Sequence, residues 1–149
     1  MWMLFVAVTI LCWGAYVPTI HHGQMAFGKN SALRAFLFVG LAYFLLAGGV
    51  LVYLYSARAE PLEFPGKAMT VSTFAGILGA LGALGIVFAI KAGGTPLLVA
   101  PLVFAGAPVV NTLVSMAWDR PAKAPSAMFY VGILLACAGA ALVLRFKPT

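Results

Sequence analysis

The chain has 149 residues, a formal net charge of +6, and a composition that is 64% hydrophobic and only 8% charged. Soluble domains carry about 25% charged residues, and a domain of this length has too large a surface to hide so many apolar side chains from water. A soluble fold is therefore excluded, and the singly scattered basic residues, which form no clustered stripe, argue against nucleic-acid binding and for contact with lipid headgroups.

Charged residues divide the chain into five uncharged stretches. Each stretch supplies the roughly 20 apolar residues that a membrane-spanning helix needs. The predicted helices are Met1–Val17, Ala35–Ser56, Met69–Lys91, Pro96–Trp118 and Ser126–Arg145. The sequence therefore predicts an all-α integral membrane fold, a five-transmembrane-helix bundle that forms one domain over residues 1–149, with its termini on opposite sides of the membrane.

The first predicted helix is expected to remain in the protein, because it lacks both the positive charge and the small-x-small cleavage site of a signal peptide. Trp13 and Tyr16 lie near its end, where aromatic belts form at the membrane interface, or they line a cavity mouth. Pro18 is predicted to end the helix.

A histidine pair follows, and we interpret it first as part of an interfacial loop. His21 and His22 are alternatively a proton or substrate contact at an entrance, since histidine titrates near neutral pH. A tetrahedral metal site would need further ligands from distant loops. We therefore predict no metal and no cofactor.

Small residues mark the third and fifth predicted helices. They recur in "AGILGALGALG" as Gly76, Gly79, Gly82 and Gly85, and later as Gly132, Ala136 and Ala140. Such residues let helix backbones approach closely in lipid. We expect these two helices to pack tightly, against each other or against a second copy; the alternative is that the small residues only reflect the composition of membrane helices.

The fourth predicted helix follows a tight turn at Gly93 and Gly94 and contains two prolines. Pro101 and Pro108 each remove a backbone hydrogen bond, which membranes tolerate where helices or cavity water satisfy the freed carbonyl. The polar residues Asn111 and Ser115 lie one turn apart in the same helix. This face is either a cavity wall or the site of an interhelical hydrogen bond that only joins the bundle.

The distribution of basic residues leaves the orientation open. Four fall on the predicted N-terminal side and five on the other: Arg58, Lys67, Arg120 and Lys123 against Lys29, Arg34, Lys91, Arg145 and Lys147. The positive-inside rule needs an excess on one side. Either a partner or the amino terminus settles the orientation, or the chain inserts both ways and pairs antiparallel.

The sequence lacks the residues that proton coupling and enzyme catalysis usually require. No Asp or Glu lies inside a predicted helix, so a buried proton-binding carboxylate is missing. No catalytic cluster occurs, which argues against an enzyme. Cys12 and Cys137 lie in apolar runs and are interpreted as packing residues.

Two stretches of the chain resemble a known family of membrane carriers. The run "KAGGTPLLVAPLVFAGAPVVNTLVSMAWDRP" and the later "FYVGILLACAGAALVL" are similar to the second half of an EamA-type unit of the drug/metabolite transporter superfamily. In that family a short hairpin, a mid-helix proline, a terminal acidic residue and a glycine-rich fifth helix follow one another. The matching positions here are Gly93–Gly94, Pro108, Asp119, Gly132 and Gly139. The opening "WGAYVP" also resembles the Trp-Gly start of the family's first helix.

This chain departs from the family in having one unit rather than two, and Asp119 where glutamate is usual. The resemblance implies a ten-helix carrier assembled from two copies, or from this chain and a second five-helix unit, with a cavity near the midplane. The chain is therefore interpreted as an EamA-like subunit, in a bacterial inner membrane, that moves a small polar or amphipathic metabolite by alternating access. The residues expected to face the cavity are Trp13, Tyr16, Asn111 and Ser115, with Gly14 allowing close approach. The alternative is a non-transporting membrane protein that acts as an assembly or partner-binding subunit.

Overall fold

A computed structural model describes residues 1–29, 31–118, 121 and 123–146. Over these residues the chain is all-α and without strands. Its helices are α1 (Trp2–Phe27), α2 (Ala32–Ala57), α3 (Gly66–Lys91), α4 (Pro96–Trp118) and α5 (Ala127–Arg145). All 5 are long and apolar enough to cross a membrane, which confirms the predicted five-helix membrane fold class. The chain is a multi-pass integral membrane protein; Asp119, Arg120 and Lys147 lie outside the described residues.

The predicted end of α1 is wrong, because the helix continues through Pro18 and ends at Phe27 instead of Val17. Proline removes one N–H, so the carbonyl four residues earlier, that of Gly14, loses its helical partner. Membrane helices tolerate such a break where other groups satisfy the carbonyl. The residue after the helix end is Gly28, whose φ of 79° glycine adopts without a Cβ penalty.

Two compact units divide the chain. Unit 1 comprises Met1–Val17 and Gly94–Thr149, and unit 2 comprises Pro18–Gly93. Within unit 1, α4 packs against α5, and within unit 2, α2 packs against α3. The prediction of a single domain and the sides on which the termini lie stay predictions.

Few side chains are buried inside either unit. The buried apolar residues that belong to unit 1 are Val17 and Val99, and those that belong to unit 2 are Ala32, Ala35, Ala83, Ile86, Val87 and Ile90. No described residue of α5 is buried. Most apolar side chains are therefore available to lipid or to a neighbouring molecule.

The glycines of α3 make no close approach to any part of the chain that the structure describes. A Cβ added at any of Gly76, Gly79, Gly82 or Gly85 would meet no atom within 4 Å. The structure thus shows no tight backbone packing at these four positions. Packing of the α3 glycines against α5 or against a second copy stays a prediction.

Candidate functional site

An aromatic contact joins the first part of α1 to α4 within unit 1. The rings of Trp13 and Phe104 meet edge to face, with centroids 6.3 Å apart and planes at 87°. This is a favoured geometry for aromatic pairs, because the positive ring edge meets the negative face. Tyr16 lies 5.8 Å from Trp13 in a tilted arrangement. Two of the predicted site residues are thus brought together.

The same face of α4 carries the predicted polar residues. Phe104 and Asn111 are seven residues apart, which is close to two helical turns, and Ser115 follows one turn later. Pro108 also falls on this face, four residues after Phe104. The aromatic contact with Trp13 therefore lies on the stripe of α4 that contains the amide and the hydroxyl.

The polar side chains on this stripe are not buried within the chain. Asn111 and Ser115 are both exposed. Asn111 is four residues from the centre of α4 and therefore about 6 Å from the middle of the span. A carboxamide at that depth requires a water-filled cavity or a polar group of another molecule, because burial in hydrocarbon without a hydrogen bond is costly.

Both internal prolines of α4 lie within a continuous helix. Pro101 supplies no N–H to the carbonyl of Leu97, and Pro108 supplies none to the carbonyl of Phe104. The second of these carbonyls belongs to the residue that contacts Trp13. The stripe thus combines an aromatic pair with three polar groups: the Phe104 carbonyl, the Asn111 amide and the Ser115 hydroxyl.

The other predicted residues of the first helix differ in environment. Tyr16 is half-buried and its hydroxyl oxygen is buried. A Cβ added at Gly14 would meet no atom within 4 Å among the described residues, so the structure shows no close approach there. The expected close approach at Gly14 stays a prediction.

The turn after α3 has the geometry that its two glycines predict. Gly93 has a φ of 99°, and its N–H donates to the carbonyl of Ile90 over 3.0 Å. Gly94 does not have a positive φ. Only the first glycine of the pair is therefore required by backbone conformation.

The histidine pair lies in α1, so the interpretation of these residues as an interfacial loop is wrong. The His21 ring is half-buried and that of His22 is exposed, with ring centroids 6.0 Å apart. Adjacent helical residues point about 100° apart, which keeps the two rings from converging on one ion. Among the described residues no group of three metal-ligating side chains forms.

Sequence reasoning missed a polar bridge in unit 2. The Gln24 Nε2 donates to the carbonyl oxygen of Val87 over 3.0 Å, and the Ser31 hydroxyl donates to the Gln24 carbonyl over 2.6 Å. Both side chains are buried. A buried glutamine needs such a partner, but the available signal was only a lone polar residue one turn after His21. Because α1 was expected to end at Val17, Gln24 fell in a predicted loop.

A second feature of unit 2 is an apolar groove between α2 and α3. It has a volume of about 440 Å³ and is lined by aromatic and small residues, among them Phe36, Gly40, Tyr43, Gly76 and Gly79. The glycines form its floor because they lack side chains. None of the predicted site residues lines it.

Comparison of the chain with protein-family models, with curated proteins and with solved structures finds no match. Any function must therefore follow from the site itself. The structure brings Trp13 and Tyr16 together and places Asn111 and Ser115 on the α4 face that Trp13 contacts through Phe104.

Proposed function

We propose that this chain is a subunit of a membrane transporter that moves a small polar or amphipathic metabolite by alternating access. In this proposal two copies, or this chain and a second five-helix unit, build an EamA-like carrier of ten helices in a bacterial inner membrane. The solute cavity lies against the α4 stripe defined by Phe104, Pro108, Asn111 and Ser115.

The observation that supports the proposal best is the exposure of Asn111 near the middle of α4. A lipid-facing carboxamide at this depth forfeits its hydrogen bonds, which costs about 1–3 kcal/mol on the scale of protein mutations. A hydrated cavity removes that cost. The carbonyl of Phe104 gains in the same way, because cavity water or solute satisfies the bond that Pro108 omits.

The residues of this stripe suit a polar or amphipathic solute. The aromatic rings of Trp13 and Phe104 offer apolar faces, while Asn111 and Ser115 offer donors and acceptors. No carboxylate lies within the described residues of the five helices, since Glu60 and Glu63 follow α2, and the third acidic residue, Asp119, is outside the described residues. We therefore propose facilitated movement down a gradient rather than coupling through a buried acid.

The limited core supports assembly with a second unit. Only eight apolar residues are buried in the described chain, and α5 contributes none of them. Helices in lipid associate through packing and hydrogen bonds, so the uncovered face of α4 favours a neighbouring molecule. The exposure of Asn111 also fits the alternative function. In a non-transporting assembly subunit, the Asn111 side chain bonds directly to a partner helix.

Uptake by purified protein in liposomes separates these functions. The probes are radiolabelled glucose, leucine and tetraphenylphosphonium, which represent a polar, a zwitterionic and an amphipathic solute. We expect the wild-type protein to take up at least one probe faster than protein-free liposomes do. Asn111→Leu should lower this uptake about tenfold, which corresponds to the loss of one hydrogen bond, and should leave the oligomeric state unchanged. Leu113→Ala is the matched control, since Leu113 is exposed on the opposite side of α4.

Two results contradict transport. One is the absence of uptake for all three probes by a stable, oligomeric wild-type protein. The other is an Asn111→Leu variant that becomes monomeric while Leu113→Ala stays assembled. That second outcome assigns Asn111 to the partner interface and supports the assembly subunit.

A further inference from the structure

One end of unit 2 gathers positive charge where α1 and α3 end and α2 begins. The bond from Gln24 to Val87 joins α1 to α3 within about one turn of the last residue of each helix. The two C-terminal ends are therefore level. Three basic residues lie in or next to these helix ends, and we call them the cationic end of unit 2: Lys29, Arg34 and Lys91.

Arg34 is held in a fixed position by contacts with the end of α1 and the residues that follow it. Its Nη2 donates to the carbonyl oxygens of Phe27 and Lys29 over 2.9 and 3.1 Å. Its guanidinium also lies 5.6 Å from the centre of the Phe27 ring, which stacks on Phe38. A guanidinium ordered in advance loses less conformational entropy when it binds an anion.

The guanidinium keeps donors beyond those two bonds. An arginine side chain has five N–H groups in a planar fork, and both described hydrogen bonds use Nη2. Arg34, Lys29 and Lys91 are all exposed. Their remaining donors, which on Arg34 are those of Nε and Nη1, are therefore accessible to an anion outside the chain, and hydrogen bonds from charged N–H groups to phosphate oxygens are strong.

No carboxylate of unit 2 opposes this charge at the same end. The acidic residues of unit 2 are Glu60 and Glu63, and both lie in the connection from α2 to α3. That connection is separated from the cationic end by the 26 residues of α2, a length of about 39 Å. Charges this far apart are screened from each other by salt.

The opposite end of unit 2 differs in this respect. There Arg58 and Lys67 accompany Glu60 and Glu63, so positive and negative formal charges are equal in number. The two ends of unit 2 therefore differ in net charge although they belong to the same helices. Removing basic residues from the opposite end is thus a control for removing them from the cationic end.

The depth of the cationic end matches a lipid headgroup. A helix of 26 residues is about 39 Å long, longer than the roughly 30 Å hydrocarbon core and close to the thickness that includes the headgroups. Helices of this length exceed the hydrocarbon core, which suits the residues at their ends to contact with lipid phosphates. Phe27 and Phe38, both exposed, flank Arg34 with apolar surface suited to the upper acyl region.

We infer that Lys29, Arg34 and Lys91 form a binding site for the phosphate of an anionic lipid headgroup. Arg34 provides an ordered guanidinium with further donors on Nε and Nη1, and the two lysines add charge from the ends of α1 and α3. A free phosphate carries the same chemistry but lacks the acyl chains that contact Phe27 and Phe38. This site shares no residue with the proposed solute cavity, so it stands or falls independently of transport.

The test is native mass spectrometry of the full-length protein released from nanodiscs of defined composition. The nanodiscs contain phosphatidylglycerol and phosphatidylcholine in equal amounts, and the measurement is the ratio of the two lipids retained. We expect the wild-type protein to retain phosphatidylglycerol preferentially. Each removed charge should reduce this preference about fivefold, and Lys29→Gln/Lys91→Gln about 25-fold.

The matched control is Arg58→Gln/Lys67→Gln, which removes two charges from the opposite end and should leave the preference unchanged. Arg34→Gln tests the ordered guanidinium, and the lysine pair keeps the test valid if that variant fails to fold. Added inorganic phosphate should not displace the lipid, and displacement at millimolar phosphate would assign the site to a free anion. Equal losses in the two double variants, or no preference in the wild type, overturn the inference.

Discussion

The side-chain amide of Gln24 donates a hydrogen bond to the main-chain carbonyl of Val87, two residues 63 positions apart in sequence. The bond joins α1 to α3 inside unit 2, where Gln24 and Val87 are both buried. It also explains why a polar side chain occurs ahead of the predicted second helix, in a stretch that the sequence pattern assigned to a loop. The bond brings the ends of two helices to one level.

Loss of this bond should destabilise unit 2. Gln24→Leu keeps the approximate size of the side chain but removes the donor, so we expect a loss of about 1 kcal/mol in the free energy of unfolding. Thermal unfolding of the detergent-purified protein measures it as a lower midpoint. Met25→Leu is the control, because Met25 is adjacent and exposed. Equal midpoints for the two variants would show that the bond contributes no net stability.

The two glycines of the α3–α4 turn should respond differently to alanine. Gly93 has a φ of 99°, whereas Gly94 has no positive φ. An L-residue at positive φ costs about 1–2 kcal/mol. Gly93→Ala should therefore lower the unfolding midpoint, and Gly94→Ala should change it little. A larger effect at Gly94 would indicate that packing around the turn, rather than its backbone conformation, limits substitution.

The glycine floor of the α2–α3 groove provides a test of dimer formation. Gly79 lines the groove and has open space around it within the described chain, so Gly79→Leu should fold. If a second copy packs there, the new side chain blocks close approach of the backbones and weakens the dimer. Single-molecule photobleaching in liposomes measures the dimer fraction.

The control for this variant is Gly49→Leu, which adds the same side chain to α2 about 180° from Gly40. We expect Gly49→Leu to retain the wild-type dimer fraction and Gly79→Leu to lower it about tenfold, a loss on the scale of one interhelical contact. An unchanged fraction in Gly79→Leu rejects the groove as a dimer interface and leaves it to lipid.

Trp13 should matter for transport more than for folding. Trp13→Ala removes the ring that meets Phe104 edge to face, a contact worth about 0.5–1.5 kcal/mol beyond its buried area. We expect expression to persist while solute uptake falls about tenfold, which corresponds to the upper end of that contact energy. Trp13→Phe keeps an aromatic ring and should restore most of the uptake. Trp2→Ala, at an exposed position of the same helix, is the control. A collapse of expression in Trp13→Ala alone would identify Trp13 as a packing residue.

The positions of the helices were predictable because the surrounding bilayer sets the length and the charge of each span. A bilayer requires about 20 apolar residues per span, and charged residues are costly inside it. The uncharged stretches therefore correspond to the five helices, and α4 has the predicted bounds Pro96–Trp118. Helix α2 begins at Ala32 rather than Ala35, and α3 at Gly66 rather than Met69. The added first turns contain Arg34 and Lys67, so these helices are not limited to the uncharged stretches.

The end of α1 was not predictable from local preference. Proline disfavours a helix interior in water by about 3 kcal/mol, so Pro18 indicated an end. In the structure Pro18 lies inside a helix that extends to Phe27, and Gln24 in the continued part bonds to Val87. A contact with a residue far along the chain thus accompanies a helix that the local sequence disfavours.

The amino-acid sequence is enough to establish that this protein lies in a membrane and where its chain crosses, because hydrophobic length and charge avoidance are local properties. It also places Asn111 one turn before Ser115, since helical spacing is regular. The contact of Trp13 with Phe104 on that same α4 face, and the reach of Gln24 to Val87, emerge only from the folded arrangement. Those contacts depend on which helices pack against each other. In lipid the hydrophobic effect does not select these neighbours, because the lipid tails are as apolar as the helix side chains.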